Sequence, residues 1–369
     1  MRKQKKVMNM NSFPRLIFRI SFFIFHFSYF ILLSSCQQSA QQERDAFFLR
    51  GNLKLQSGEY GEAIRYYDEA LRADPAYAEG YNNRGIAHYE QGHYPEAITD
   101  YTRAINQRPS FTDAYYNRAN AYYQRGEYQP SIVDLDTVLR HYPDSAYVHF
   151  TRGTALTGAQ RYPEAVAAFD RALELDPNNA ETYVNRATVR YYLNEYEAAE
   201  QDLQRALELD PQEGNAYNVR GLLLTKTGQY EAAQQAFDQA LTITPYQPYF
   251  LNNRGYLNLQ AGQLDQALKD IDQSIQIDPK NGYAYRNKGI YFLKREQPEQ
   301  AVPLLERALS QDATTEEAAY YLGLAHQQQS NLAEACRVWQ SGLGAAEQNA
   351  YRQYCKNVSA PSAVPEVID

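Results

Sequence analysis

The chain has 369 residues, 44% of them hydrophobic, and a formal net charge of −8. Length alone suggests two or three globular domains, but a fixed internal period overrides that prior and implies units that pack only on their neighbours. Residues 1–35 carry six Lys or Arg and no acid, leaving 30 basic against 44 acidic residues beyond them. That balance repels a phosphate backbone, no Lys/Arg stripe reverses it, and nucleic acid is not an expected partner.

Met1 to Arg19 is basic, and Ile20 to Leu33 is a Phe-rich apolar stretch of signal-peptide length, too short to span a bilayer. It ends in Leu33-Ser34-Ser35-Cys36, which resembles the lipobox of bacterial lipoproteins. The resemblance implies that residues 1–35 are removed, that Cys36 becomes a diacylated N-terminus, and that 36–43 is a short tether. Gln37 after the cysteine resembles outer-membrane sorting, so the expected location is the bacterial envelope, facing the periplasm. The competing reading is an uncleaved signal anchor with an incidental cysteine.

From Arg44 a 34-residue unit recurs without insertion. Position 8 is Gly51, Gly85, Gly153, Gly221, Gly255, Gly289 and Gly323, with Ala119 and Ala187 between them. Position 20 is Ala in every unit except at Ser131, and position 32 is proline from Pro75 to Pro279. Small residues at 8 and 20 let two antiparallel helices cross closely, and proline at 32 ends the second helix. Tyrosine at positions 4 and 17 and aromatics at 24 follow helical spacing, so they are read as interhelical core and not as a cofactor box.

With these features in register, the unit resembles the tetratricopeptide repeat. The resemblance covers Arg44 to Asn349 as nine repeats (44–77, 78–111, 112–145, 146–179, 180–213, 214–247, 248–281, 282–315, 316–349), followed by a capping helix at 350–357 and a flexible tail at 358–369. It implies an all-α fold, a right-handed α-α superhelix whose first helices (A) line a concave groove. One departure is systematic: position 7, usually Leu in the family, is Arg or Lys from Arg50 to Lys288. Asp at position 23 predicts structural ion pairs Arg84-Asp100, Arg118-Asp134, Arg186-Asp202 and Arg254-Asp270.

Position 6 carries Asn83, Asn117, Asn185, Asn253 and Asn287. Such amides can meet the backbone of an extended peptide, and the row resembles the asparagine ladder of O-linked N-acetylglucosamine transferases, although no catalytic domain follows. The alternative is that these asparagines only cap or solvate helix A. Tyr89, Tyr116, Tyr123 and Tyr191 lie around the row, with Asp or Glu at position 2 of several repeats. That setting suits hydrophobic or basic segments, or else is a solvated surface. No repeat has a base at position 2, which disfavours acidic chaperone tails.

No phosphate loop, catalytic motif or metal-ligand spacing is present, so neither enzyme activity nor a cofactor or metal is expected. Beyond Cys36 the cysteines are Cys336 and Cys355, which in an oxidising compartment either form a disulfide across the last repeat or remain two free thiols. The leading reading is a membrane-anchored scaffold that binds a polypeptide in the concave groove. The second is a structural subunit or assembly factor of an envelope machine, docked through its convex face.

Overall fold

A computed structural model describes residues 39–355 except 314, 316 and 343. The expected signal peptide, Cys36 and the expected tail from 358 onward lie outside the described residues. The described chain is helical throughout: α1 (39–56), α2 (Tyr60–Ala73), α3 (Ala78–Glu90), α4 (Tyr94–Gln107), α5 (Thr112–Gln124), α6 (Tyr128–His141), α7 (Ala146–Gly158), α8 (Tyr162–Leu175), α9 (Ala180–Tyr192), α10 (Tyr196–Leu209), α11 (Gly214–Lys226), α12 (Tyr230–Ile243), α13 (Pro248–Gln260), α14 (Leu264–Ile277), α15 (Gly282–Lys294), α16 (Pro298–Gln311), α17 (Ala318–Gln328), α18 (Leu332–Ser341) and α19 (Ala345–Tyr354). Odd-numbered helices through α17 are the A helices and even-numbered ones the B helices. They form two compact units that divide between Ala168 and Phe169, and within each unit the helices pack on their neighbours in sequence.

The boundaries follow local chemistry. Asp74, before Pro75, has φ −142° and ψ 95°, the extended geometry that a following proline imposes, and α2 stops there. Each A helix is followed by a left-handed residue at position 15. Gly58, Gly92, Gly126, Gly228 and Gly262 supply it without strain, while Gln160, Asn194, Glu296 and Ser330 adopt φ of 57°, 62°, 56° and 62° despite their side chains.

Position 8 is matched to position 24. A Cβ on Gly85 would stand 2.7 Å from the ring of Tyr101, and one on Gly221 2.7 Å from that of Phe237. Where position 8 is instead Ala119 or Ala187, position 24 is Leu135 or Leu203, each fully buried. Gly255 and Gly289 face Ile271 and Leu305 in the same way, so the position-24 side chain, ring or aliphatic, fills the space that glycine leaves.

The four ion pairs expected between positions 7 and 23 are present, and each is bidentate. Arg84 donates to both carboxylate oxygens of Asp100 at 2.7 and 2.6 Å, and Arg118 to those of Asp134 at 2.8 and 2.9 Å. Arg186 with Asp202 and Arg254 with Asp270 repeat the geometry. The remaining guanidinium nitrogen reaches the preceding B helix at position 25: Asp68 from Arg84, Thr102 from Arg118, Asp170 from Arg186 and Asp238 from Arg254. Each arginine therefore fastens its own B helix to the one before it. The position-23 carboxylates are buried and the position-25 partners more exposed.

The last repeat is held differently. Trp339 is fully buried and its indole N–H donates to Tyr320 O at 3.0 Å. Gly323 makes room for it, because a Cβ there would overlap the indole. Cys336 and Cys355 form a disulfide with Cα atoms 5.7 Å apart, tying the end of α19 to α18. Glu347, buried in α19, accepts from Tyr320 N at 3.1 Å.

Two boundaries differ from the sequence reading. The first A helix already includes residues 39–43 of the expected tether, where nothing breaks a helix. The capping helix starts at Ala345, not 350, after Gly342 and Gly344, and its helical turns end at Tyr354.

Candidate functional site

The asparagine row is on the A helices, but much of its hydrogen-bonding capacity is taken up between repeats. Asn83 donates to Asn52 at 2.9 Å, Asn82 to Asn83 at 3.1 Å, and Asn117 to Asn82 at 3.1 Å. In the second unit Asn253 donates to Asn218 at 3.0 Å and Asn287 to Asn252 at 2.8 Å. The position-5 asparagines Asn82, Asn218 and Asn252 are buried, and each accepts from the position-6 amide one repeat later. These chains stitch neighbouring A helices together. The Asn185 amide instead turns back to Glu181 O of its own helix at 2.9 Å.

Asn287 is a correction. It is 0% exposed, and its carbonyl oxygen accepts from the guanidinium of the adjacent Arg286 at 2.9 and 3.1 Å. It is part of the packing and is not offered to a ligand. Asn83, Asn117, Asn185 and Asn253 are half-buried.

The tyrosines divide as well. Tyr89 and Tyr123 pack edge-on against Tyr94 and Tyr128, the first residues of the following B helices, with ring centroids 5.4 and 5.6 Å apart. Tyr191 packs on Tyr192 and Tyr196. Tyr116 lies 5.6 Å from Tyr147, and its hydroxyl is 3.3 Å from that of Thr151. Burial raises the phenol pKa of Tyr89 and Tyr123 above the usual value and that of Tyr116 to about 12. All three stay neutral at physiological pH and present O–H groups.

Each unit has its own cavity. In the second unit a cavity of about 700 Å³ is lined by Asn185, Asn253 and Tyr191 together with Tyr249, Tyr256 and Tyr283. Charge of both signs meets there: Glu181, Glu213 and Glu317 against Lys226 and Arg286. Arg286 is held between the faces of Tyr256 and Tyr283, at 5.3 and 5.2 Å. In the first unit a cavity of about 490 Å³ takes in Tyr116 and Asn117, but not Asn83, Tyr89 or Tyr123.

Sequence reasoning missed Asn82, Asn218 and Asn252, although their recurrence at position 5 signalled a second row. It also missed Tyr142, which stands at position 31 where other repeats carry Asp, Arg, Thr or Ala. Among the described residues no group of His, Cys, Asp and Glu is arranged to hold a metal, and no helix is long and apolar enough to cross a membrane.

Tetratricopeptide repeat models match residues 48–110, 82–134, 116–180, 152–223, 214–247, 248–281 and 286–350. The chain belongs to the tetratricopeptide repeat family. Among solved structures, this tetratricopeptide array is similar to the APC/C hetero-tetramer Cut9-Hcn1, at 14% identity and TM-score 0.56, over 76% of this chain and 55% of that one. It also resembles a monomeric mutant of IFIT1 with Gppp-AAAA, at 18% identity and TM-score 0.54, over 74% and 71% of the two chains. A tetratricopeptide repeat protein from Parabacteroides merdae matches at 20% identity and TM-score 0.47, over 77% and 99%. At these identities the likeness concerns the fold alone. A sequence comparison with curated proteins finds no significant match.

Proposed function

We propose that this chain is a membrane-anchored protein-interaction scaffold that takes an extended polypeptide into the groove of its A helices. The observation that carries this reading is the 700 Å³ cavity of the second unit, where tyrosine faces and half-buried amides line a space open to a ligand. Tyr249 and Tyr283 are 51% and 37% exposed there, and Tyr supplies contact area at low entropic cost. The amide chains hold the groove floor in place, so a ligand meets a surface that is already ordered.

The anchor rests on Leu33-Ser34-Ser35-Cys36 and its resemblance to a lipobox. The Cys336–Cys355 disulfide supports an oxidising compartment such as the periplasm. Docking through the convex face has less behind it: the exposed apolar side chains of the B helices, Val133, Ile277 and Leu332, belong to different repeats, and scattered apolar residues are ordinary on a protein surface.

Photo-crosslinking residues placed at Tyr249 or Tyr283 in cells should trap a protein that the same residue at Val133 or Ile277 does not. Equal capture from both faces, or capture from the B helices alone, refutes the groove. Radiolabelled palmitate incorporation should be lost in Cys36→Ser; retained label refutes the anchor.

A further inference from the structure

The cavity of the first unit differs in chemistry from that of the second. Its floor is apolar, with Ile86, Val138 and Val148, and its walls are Tyr116, Tyr142 and Tyr147. Asp113 is the only charged residue in the lining.

Three observations bear on what fits there. Tyr142 and Tyr147 are 55% and 64% exposed, so two aromatic rings are presented to solvent beside an apolar floor. Tyr116 is fixed against Tyr147 and Thr151, which sets the angle of the inner wall. The acids of the two preceding repeats at the same position are already paired, Asp45 with Arg44 at 2.7 Å and Glu79 with Arg108 at 2.6 Å. Asp113 has no ion pair among the described residues and is exposed at the mouth of the cavity.

We infer that Asp113, Tyr116, Tyr142 and Tyr147 form a cage for an arginine or lysine side chain of the bound polypeptide, a basic anchor point within the groove. The aliphatic stem lies on Ile86, Val138 and Val148, the cationic head meets the tyrosine faces, and Asp113 supplies the opposite charge. A neutral side chain gains only the apolar floor. An acidic one meets the field of Asp113 with no base in the lining to offset it. This assignment rests on the groove reading and specifies one residue class of its ligand.

The test uses the full-length protein in nanodiscs and a fluorescein-labelled peptide of glycine and leucine that carries two arginines, with counterparts in which both are glutamine or both glutamate. Fluorescence anisotropy should show the glutamine peptide binding about tenfold more weakly than the arginine peptide, and the glutamate peptide more weakly still. Tyr147→Ala, Tyr142→Ala and Asp113→Asn should each reduce that preference, while Tyr147→Phe keeps it. These side chains are exposed, so their replacement leaves the fold intact. Val133→Ala, on a B helix outside both cavities, should leave the preference unchanged. Equal affinity for the arginine and glutamine peptides, no binding of any of the three, or indifference to Tyr142→Ala and Tyr147→Ala together overturns the cage. Crosslinking at Tyr249 and Tyr283 is read independently, so the cage can fail while the groove stands.

Discussion

Repeats 2, 3, 5 and 7 and the last repeat solve one packing problem with different means. In the former a position-7 arginine holds a buried carboxylate of its own B helix and a polar group of the B helix before it. The last repeat has no such arginine; it relies on a buried tryptophan, a buried glutamate and a disulfide. A repeat with a unit before it can use this device, because its arginine finds a position-25 partner on the preceding B helix as well as the position-23 acid on its own. A terminal repeat has no following unit and must be closed by residues that occur once.

The largest expected effect breaks the periodic device. Asp134→Ala should cost about 3–5 kcal/mol, because Arg118 is left half-buried beside an empty site. Asp136→Ala, removing the 42%-exposed partner of Arg152, should cost less than about 1 kcal/mol. Chemical denaturation measures both, and equal losses would show that the burial of position 23 is irrelevant.

The next breaks the terminal device. Reduction of the Cys336–Cys355 bond, or Cys336→Ser, should cost about 2–4 kcal/mol. In hydrogen exchange the loss should be confined to α17–α19. A uniform rise in exchange along α2–α6 as well would mean that the cap stabilises the whole array.

Smaller effects sharpen the comparison among repeats. Glu296→Gly should stabilise by about 0.5–1 kcal/mol, since the position is left-handed and glycine occupies it in five other repeats. Unchanged thermal stability would mean that the residue's local contacts already offset its backbone strain. The smallest expected effect depends on pH. Burial, the larger cause, and the nearby Arg84 charge hold His88 below its ordinary pKa of 6.5 against the opposing pull of Asp100. The folded chain keeps this imidazole neutral while the unfolded chain protonates near 6.5, so stability falls as pH drops below 6.5 toward the folded value. His88→Gln should flatten that slope; an unchanged slope would assign it elsewhere.

Much of this was readable from period alone. Glycine at 8, alanine at 20 and proline at 32 fix where helices cross and stop, and the arginine at 7 with aspartate at 23 fixes an ion pair within one repeat. What lay beyond the sequence reading crosses from one repeat to the next. Asp68, Asp170 and Asp238 recur at position 25 as plainly as the position-23 acids, yet their partner is in the following unit. The asparagine row was legible as a row, but not its consumption, since the acceptor for Asn117 is Asn82, 35 residues earlier. Glu347 could not have been placed in the core: its carboxylate is tolerated there because it accepts from the Tyr320 N–H near the start of α17 and lies in the first turn of α19.

The arginine that spans two B helices also bears on how such an array can lengthen or shorten. A second copy of repeat 2 placed directly after the first would set its arginine, the counterpart of Arg84, against Thr102, whereas Arg84 itself meets the carboxylate of Asp68. Deleting repeat 2 would bring Arg118 against Asp68 in place of Thr102 and exchange a neutral acceptor for a charged one. The repeats are alike in shape but not interchangeable. What duplication must preserve is the seam between two units, and a cut made inside a helix pair respects it better than one made at the repeat boundary.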